Sequence, residues 1–144
     1  MIVSQILKSK PDVGVISVKP TSTISDATKL LSEHRIGTVV VSADGESLDG
    51  ILSERDIVRE LGKRGAGCLR DQGKDLMTAK LVTCSPSNSA IEVLEMMTEG
   101  RFRHVPVMDG DKMVGLISIG DAVKARLAEL SMEKDALEGM IMGH

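Results

Sequence analysis

Apolar residues along this chain switch between two periods, and the order of the switches occurs twice. In TISDATKLLSEH, residues 23 to 34, Ile24, Ala27, Leu30 and Leu31 share one helical face. Thr23 and, three residues on, Asp26 mark its start. TVVVSADGESLDGIL, residues 38 to 52, then predicts strand, DG turn and strand, with a second helix behind it. The order returns with Ala90, Val93, Leu94 and Met97 behind Ser89-x-x-Glu92, followed by HVPVMDGDKMVGLI, residues 104 to 117. Short strands VISVKP (15 to 20) and LVTCSP (81 to 86) open the copies, each closed by Pro.

The copies align at an offset of 66, which slips to 65 after the DG turns, where a deletion costs least. GILSERDIV, residues 50 to 58, thereby meets GLISIGDAV, residues 115 to 123. The predicted fold is α+β (α/β): two β-α-β-β-α repeats, each too small to bury its own faces, packed with pseudo-twofold symmetry. Residues 1–62 form the first repeat and 76–126 the second. GKRGAGCLRDQGKD supplies a linker, 63–75, rich in Gly and mixed charge, and 127–144 continue as a helical tail with a Met-rich stripe.

Composition narrows the chemistry. There is no Trp or Tyr and one Phe, so aliphatic residues and nine Met must fill the core. A net charge of −3 argues against a general nucleic-acid surface. No apolar run approaches 18 residues, the length of a membrane span, and no secretory leader opens the chain, so the expected location is cytoplasmic. Cys68 and Cys84 lack CxxC spacing and predict free thiols, Cys68 as loop filler and Cys84 in a half-buried strand. No hydroxyl has a paired base, no Walker-type loop is present and His34, His104 and His144 lack ligand spacing. The expectation is a non-catalytic protein without a metal.

Two features invite ligand chemistry. Ser53-x-x-Asp56 and Ser118-x-x-Asp121 have the form of capping boxes, but Asp is shorter than the Glu or Gln usual there, which points to a further task for the acid. A short carboxylate at a helix start suits a ribose diol, as in dinucleotide-binding folds. Arg101 complements the carbonyl end of the preceding helix. Arg103 and His104 alternate in direction, so one of them suits charge-assisted bonds to phosphate. The first copy offers only Gly37 and Thr38 at those places, with Glu54 to repel a phosphate and Arg55 to attract it.

The doubled G-h-h-S-x-x-D, the VxP openings, IGTVVV, RHVPV and the DG turns together resemble a pair of cystathionine-β-synthase-type (CBS) domains over about residues 2 to 125. LSERDIVRELGKRG, DLMT, RHVPV and SIGDAVK further resemble the small stand-alone bacterial members. The resemblance implies an adenosine-nucleotide sensor, taking AMP, ADP, ATP or NAD(H), that assembles as a homodimer and modulates a partner protein. The alternative is a ligand-free dimerisation scaffold. It also implies that Asp56 and Asp121 hold ribose, that Ser53 and Ser118 lie near phosphate, and that the strand starts around Ile16 and around Lys80, Val82 and Thr83 clasp adenine. Pro106 then stands in the core strand beside Arg103 and His104.

Overall fold

A computed structural model describes residues 1–11 and 14–142. It groups them into two compact units that interleave along the chain.

The unit spanning residues 12–81 and 109–114 holds a three-stranded sheet in which β1 (Ser17–Val18) runs parallel to β2 (Thr38–Val41), and β2 antiparallel to β3 (Gly50–Ser53). Helix α2 (Ile24–His34) buries Ile24, Ala27 and Leu31 against Val18, Val39, Val41 and Leu52, which is the face its periodicity predicts. Helix α3 (Glu54–Arg64) adds Ile57. The expected tight DG turn between β2 and β3 is a longer loop instead. Asp44 organises it by accepting the N–H groups of Glu46 and Ser47, so backbone donors that lack a ladder partner are satisfied locally.

The other unit, residues 1–11, 82–108 and 115–142 as described, is built on the hairpin of β4 (His104–Asp109) and β5 (Lys112–Ser118), whose tip belongs to the first-described unit. Helix α5 (Ala90–Gly100) buries Ala90, Val93 and Met97; α6 (Ile119–Ile141) buries Ala122 and Ala125; α1 (Val3–Ser9) adds Val3 and Ile6. The tail is thus one continuous helix with the second helix of its repeat. LVTCSP makes only a single parallel bridge, Cys84 to Val107, rather than a strand. In the other copy Val40 donates its N–H to the Ile16 carbonyl; here the matching residue is Pro106, which has no N–H to give.

Helix α1 is an element that the repeat pattern did not predict, although Val3, Ile6 and Leu7 carry helical spacing. Its counterpart is α4 (Gly73–Leu76), inside the segment expected to be a linker. That segment is folded: α3 runs to Arg64, a 3-10 turn covers Gly65–Arg70, and Cys68 is fully buried rather than loop filler.

Each leading helix docks on the copy that does not follow it directly. Val3 N–H bonds Asn88 O, Ser4 N–H bonds Pro86 O, and Ala90 N–H bonds Met1 O. Gly73 N–H bonds Ser22 O, Lys74 N–H bonds Pro20 O, and Ile24 N–H bonds Asp71 O, the same set in the other unit. The glycines that open the doubled motif receive these segments. A Cβ on Gly115 would lie 2.5 Å from Leu7 Cδ2, and one on Gly50 would lie 2.7 Å from Met77 Sδ. Repeat boundaries in sequence and packing boundaries in space therefore differ, because a leading segment exchanged between repeats buries an edge that a repeat alone leaves open.

Candidate functional site

Both Ser-x-x-Asp motifs close as full capping boxes. Ser118 N–H donates to Asp121 Oδ2 at 2.9 Å while Asp121 N–H donates to Ser118 Oγ at 3.1 Å. Ser53 and Asp56 repeat this at 3.0 and 3.2 Å. The expectation that Asp falls short of the reach is corrected: the extended Ncap backbone, with ψ of 162° at Ser118 and 159° at Ser53, turns the Ncap N–H toward the acid. Next to each box, the first helical N–H bonds the carbonyl ahead of the core strand, Ile119 to Arg103 and Glu54 to Gly37, both at 2.8 Å. These bonds fix each acid relative to residues 103–104 and 37–38.

The two acids differ in their neighbours. Lys10 Nζ donates to Asp121 Oδ2 at 2.8 Å and to Leu116 O at 2.9 Å. Among the described residues, Asp56 has only Arg59 at 4.0 Å, besides its Ser53 partners. Burial works against the charge on Asp121, but the bonds from Lys10 and Ser118 outweigh it and hold the carboxyl below its ordinary range. Lys10 is a site residue that the motif search missed. A signal existed, since α1 and α4 align at an offset of 70, which sets Lys10 on Lys80.

His104, the first residue of β4, is half-buried. Burial pushes its imidazole below its usual value; Asp121 opposes this, and Lys10 and Arg103 add to it. Asp121, Lys10, Arg103 and His104 thus form one electrostatic cluster. The folded-state value lies below the unfolded one, so the unfolded chain takes up more protons as pH drops. Stability from a neutral His104 is complete above about pH 6.5 and declines as pH falls below it. In urea melts from pH 7.5 to 5, His104→Gln should therefore lose less stability than the parent; equal losses would mean His104 titrates without strain.

Other expected residues divide between the units. With Asp121 are Ser118, Arg101, Arg103, His104, Pro106, Val82 and Thr83; with Asp56 are Ser53, Arg55, Ile16 and Lys80. Arg101 caps α5 with φ of 57°, a left-handed conformation, and Arg35 caps α2 likewise at 53°. Pro106 is fully buried, while Val82 and Thr83 are exposed just before the Cys84–Val107 bridge. With Pro106 opposite, the Val82 carbonyl has no ladder N–H facing it, whereas Ile16 O is used by Val40. Lys80 and Arg55 are exposed. Glu54 Oε1 stands 3.5 Å from where a Gly37 Cβ would be, so a carboxylate covers the place that matches Arg103. Among the described residues no cluster of His, Cys, Asp and Glu could hold a metal, and no helix is long and apolar enough to cross a membrane.

Two tandem α+β repeats, each with a capped acid at the start of its second helix, define the class of module. A CBS domain family model matches residues 3–63 and again 74–128, and the chain belongs to the CBS-domain family. A CBS-domain containing protein of Agrobacterium tumefaciens is 39% identical, with a TM-score of 0.82 over 88% of this chain and 99% of that one. The mitochondrial CBS domain-containing protein CBSX3 of Arabidopsis thaliana is 34% identical over 98% of this chain and 72% of its own length. CBSX2, whose structure was solved in complex with AMP, is 27% identical, with a TM-score of 0.74 over 88% of this chain and 96% of that one.

Proposed function

We propose that this protein is an adenosine-nucleotide sensor that binds AMP or a related nucleotide, works as a homodimer and regulates a partner protein without catalysis of its own. The observation that carries this reading is the grouping of Asp121, Lys10, Arg103 and His104 in the unit where Pro106 leaves the Val82 carbonyl open. A ribose diol takes Asp121, the cations take phosphate, and an open main-chain carbonyl accepts from the adenine amino group. The complex of CBSX2 with AMP supports the ligand class. In the other unit Glu54 over Gly37 disfavours phosphate, so Asp56, Ser53, Arg55, Ile16 and Lys80 serve at most a nucleoside or leave that face empty.

The scaffold reading has one observation in its favour. Lys10 and the capping box satisfy Asp121 with no ligand at all. Thermal melting with AMP, ADP, ATP, NAD and NADH separates the two. A nucleotide at 100 times its Kd adds about 2.7 kcal/mol of stability. We expect AMP to raise the melting temperature; no rise with any of the five leaves the scaffold.

A further inference from the structure

The protein itself satisfies the acid that a ribose would use. Asp121 Oδ2 accepts Ser118 N–H at 2.9 Å and Lys10 Nζ at 2.8 Å. A carboxylate has about four lone-pair sites over its two oxygens, so these donors fill Oδ2. A ribose diol gripped by both oxygens puts a hydroxyl on each, and one donor must then leave. Ser118 N–H cannot leave, because the return bond from Asp121 N–H to Ser118 Oγ, at 3.1 Å, fixes it in the start of α6. Lys10 can. Its ammonium sits on a flexible four-carbon stem, and its side chain is 36% exposed.

We propose that Lys10 is a specificity-determining latch, which has to come off Asp121 before ribose takes the acid and comes off readily only for a ligand that brings a phosphate to receive it. Leaving costs Lys10 both of its acceptors, Asp121 Oδ2 and the Leu116 carbonyl at 2.9 Å. The freed ammonium then shares the field of Arg103, since both cations act on His104 in the same sense. A nucleoside offers no anion in exchange, so its ribose bonds come at the expense of an ion pair. A 5′-phosphate, with a charge of about −1.5 to −2, takes up the displaced cation. The acid that recognises ribose is thereby made sensitive to phosphate. Asp56 has no such guard: Ser53 N–H and Ser53 Oγ hold its Oδ2, both at 3.0 Å, and among the described residues no lysine pairs with it. The discrimination therefore belongs to the unit of Asp121.

The inference rests on the nucleotide reading and deepens it. Calorimetric titration of Lys10→Met with AMP and with adenosine tests it, in an Asp56→Asn background that confines the readout to Asp121. The substitution should tighten adenosine about fivefold, the worth of a partly exposed ion pair, and weaken AMP about tenfold, so the preference for phosphate falls about 50-fold. A merely structural lysine would move both ligands in the same direction; that result, or an unchanged adenosine affinity, would overturn the latch and spare the sensor. Adding Asp121→Asn should abolish the gain for adenosine, because Lys10 then covers no charged acceptor, and a gain that persists would also overturn the latch. Lys10→Gln, which removes the same charge, repeats the measurement if Lys10→Met does not fold. A parent protein that takes neither AMP nor adenosine would sink the sensor reading and the latch together.

Discussion

Asp121→Asn should bind AMP about 100-fold more weakly than the parent while melting, without ligand, at nearly the same temperature. The amide oxygen of Asn still accepts the Ser118 N–H, so the helix start keeps its cap. What disappears is the charge. Lys10 loses an ion-pair partner, but both side chains are partly exposed, at 36 and 22%, and such a pair is worth about 0–1 kcal/mol. Two ribose hydroxyls lose a charged acceptor, whose bonds are worth about 1.5–3 kcal/mol each against about 0.5–1.5 for neutral ones. The difference, about 2–3 kcal/mol, gives the stated factor. Asp56→Asn should leave AMP affinity unchanged. Calorimetric titration of the folded variants reads both, and wild-type affinity in Asp121→Asn would reduce the acid to a cap.

The second large effect concerns the glycines that open the doubled motif. Neither Gly50 nor Gly115 has a positive φ, so both are there for space rather than for backbone freedom. A methyl at Gly50 would meet Met77 Sδ at 2.7 Å and the Thr78 carbonyl oxygen at 2.8 Å. That carbonyl is held by Ile51 N–H at 3.0 Å, and Thr78 N–H returns a bond to Ile51 O at 2.8 Å, so it cannot retreat without breaking the bridge. At Gly115 the obstacles are the two tip methyls of Leu7, at 2.5 and 2.9 Å, which a rotamer change moves aside. Overpacking costs about 1–3 kcal/mol. We expect Gly50→Ala near the top of that range and Gly115→Ala near the bottom. At about 2–4 °C per kcal/mol, Gly50→Ala should lower the melting temperature several degrees further. Equal losses would mean that the leading segments do not press on these strands as described.

Those contacts also show where sequence reading stops. The periods of Ile24, Ala27 and Leu31 and of Ala90, Val93 and Met97 were sufficient to locate α2 and α5, because burial of one helical face is a local property of spacing. The Ser-x-x-Asp starts were legible for the same reason: a cap is made within four residues. The role of Pro106 was half legible. Its missing N–H is written in the residue, but which carbonyl goes without a partner depends on the strand lying alongside.

Two repeats, the helix starts within them and the acid at each second-helix start were legible in the residues, all set by side-chain period and by hydrogen bonds between near neighbours. Three-dimensional packing settled which leading segment packs on which copy, that the Gly-rich stretch around Cys68 is folded, and that, among the described residues, Lys10 rather than Lys80 meets an acid. Those outcomes join residues far apart in the chain, 51 positions for Gly73 and Ser22, 85 for Val3 and Asn88 and 111 for Lys10 and Asp121. No local preference encodes such a pair. It forms because α1 must bury Val3 and Ile6, and the carboxylate at the start of α6 lies within reach of the lysine that follows them.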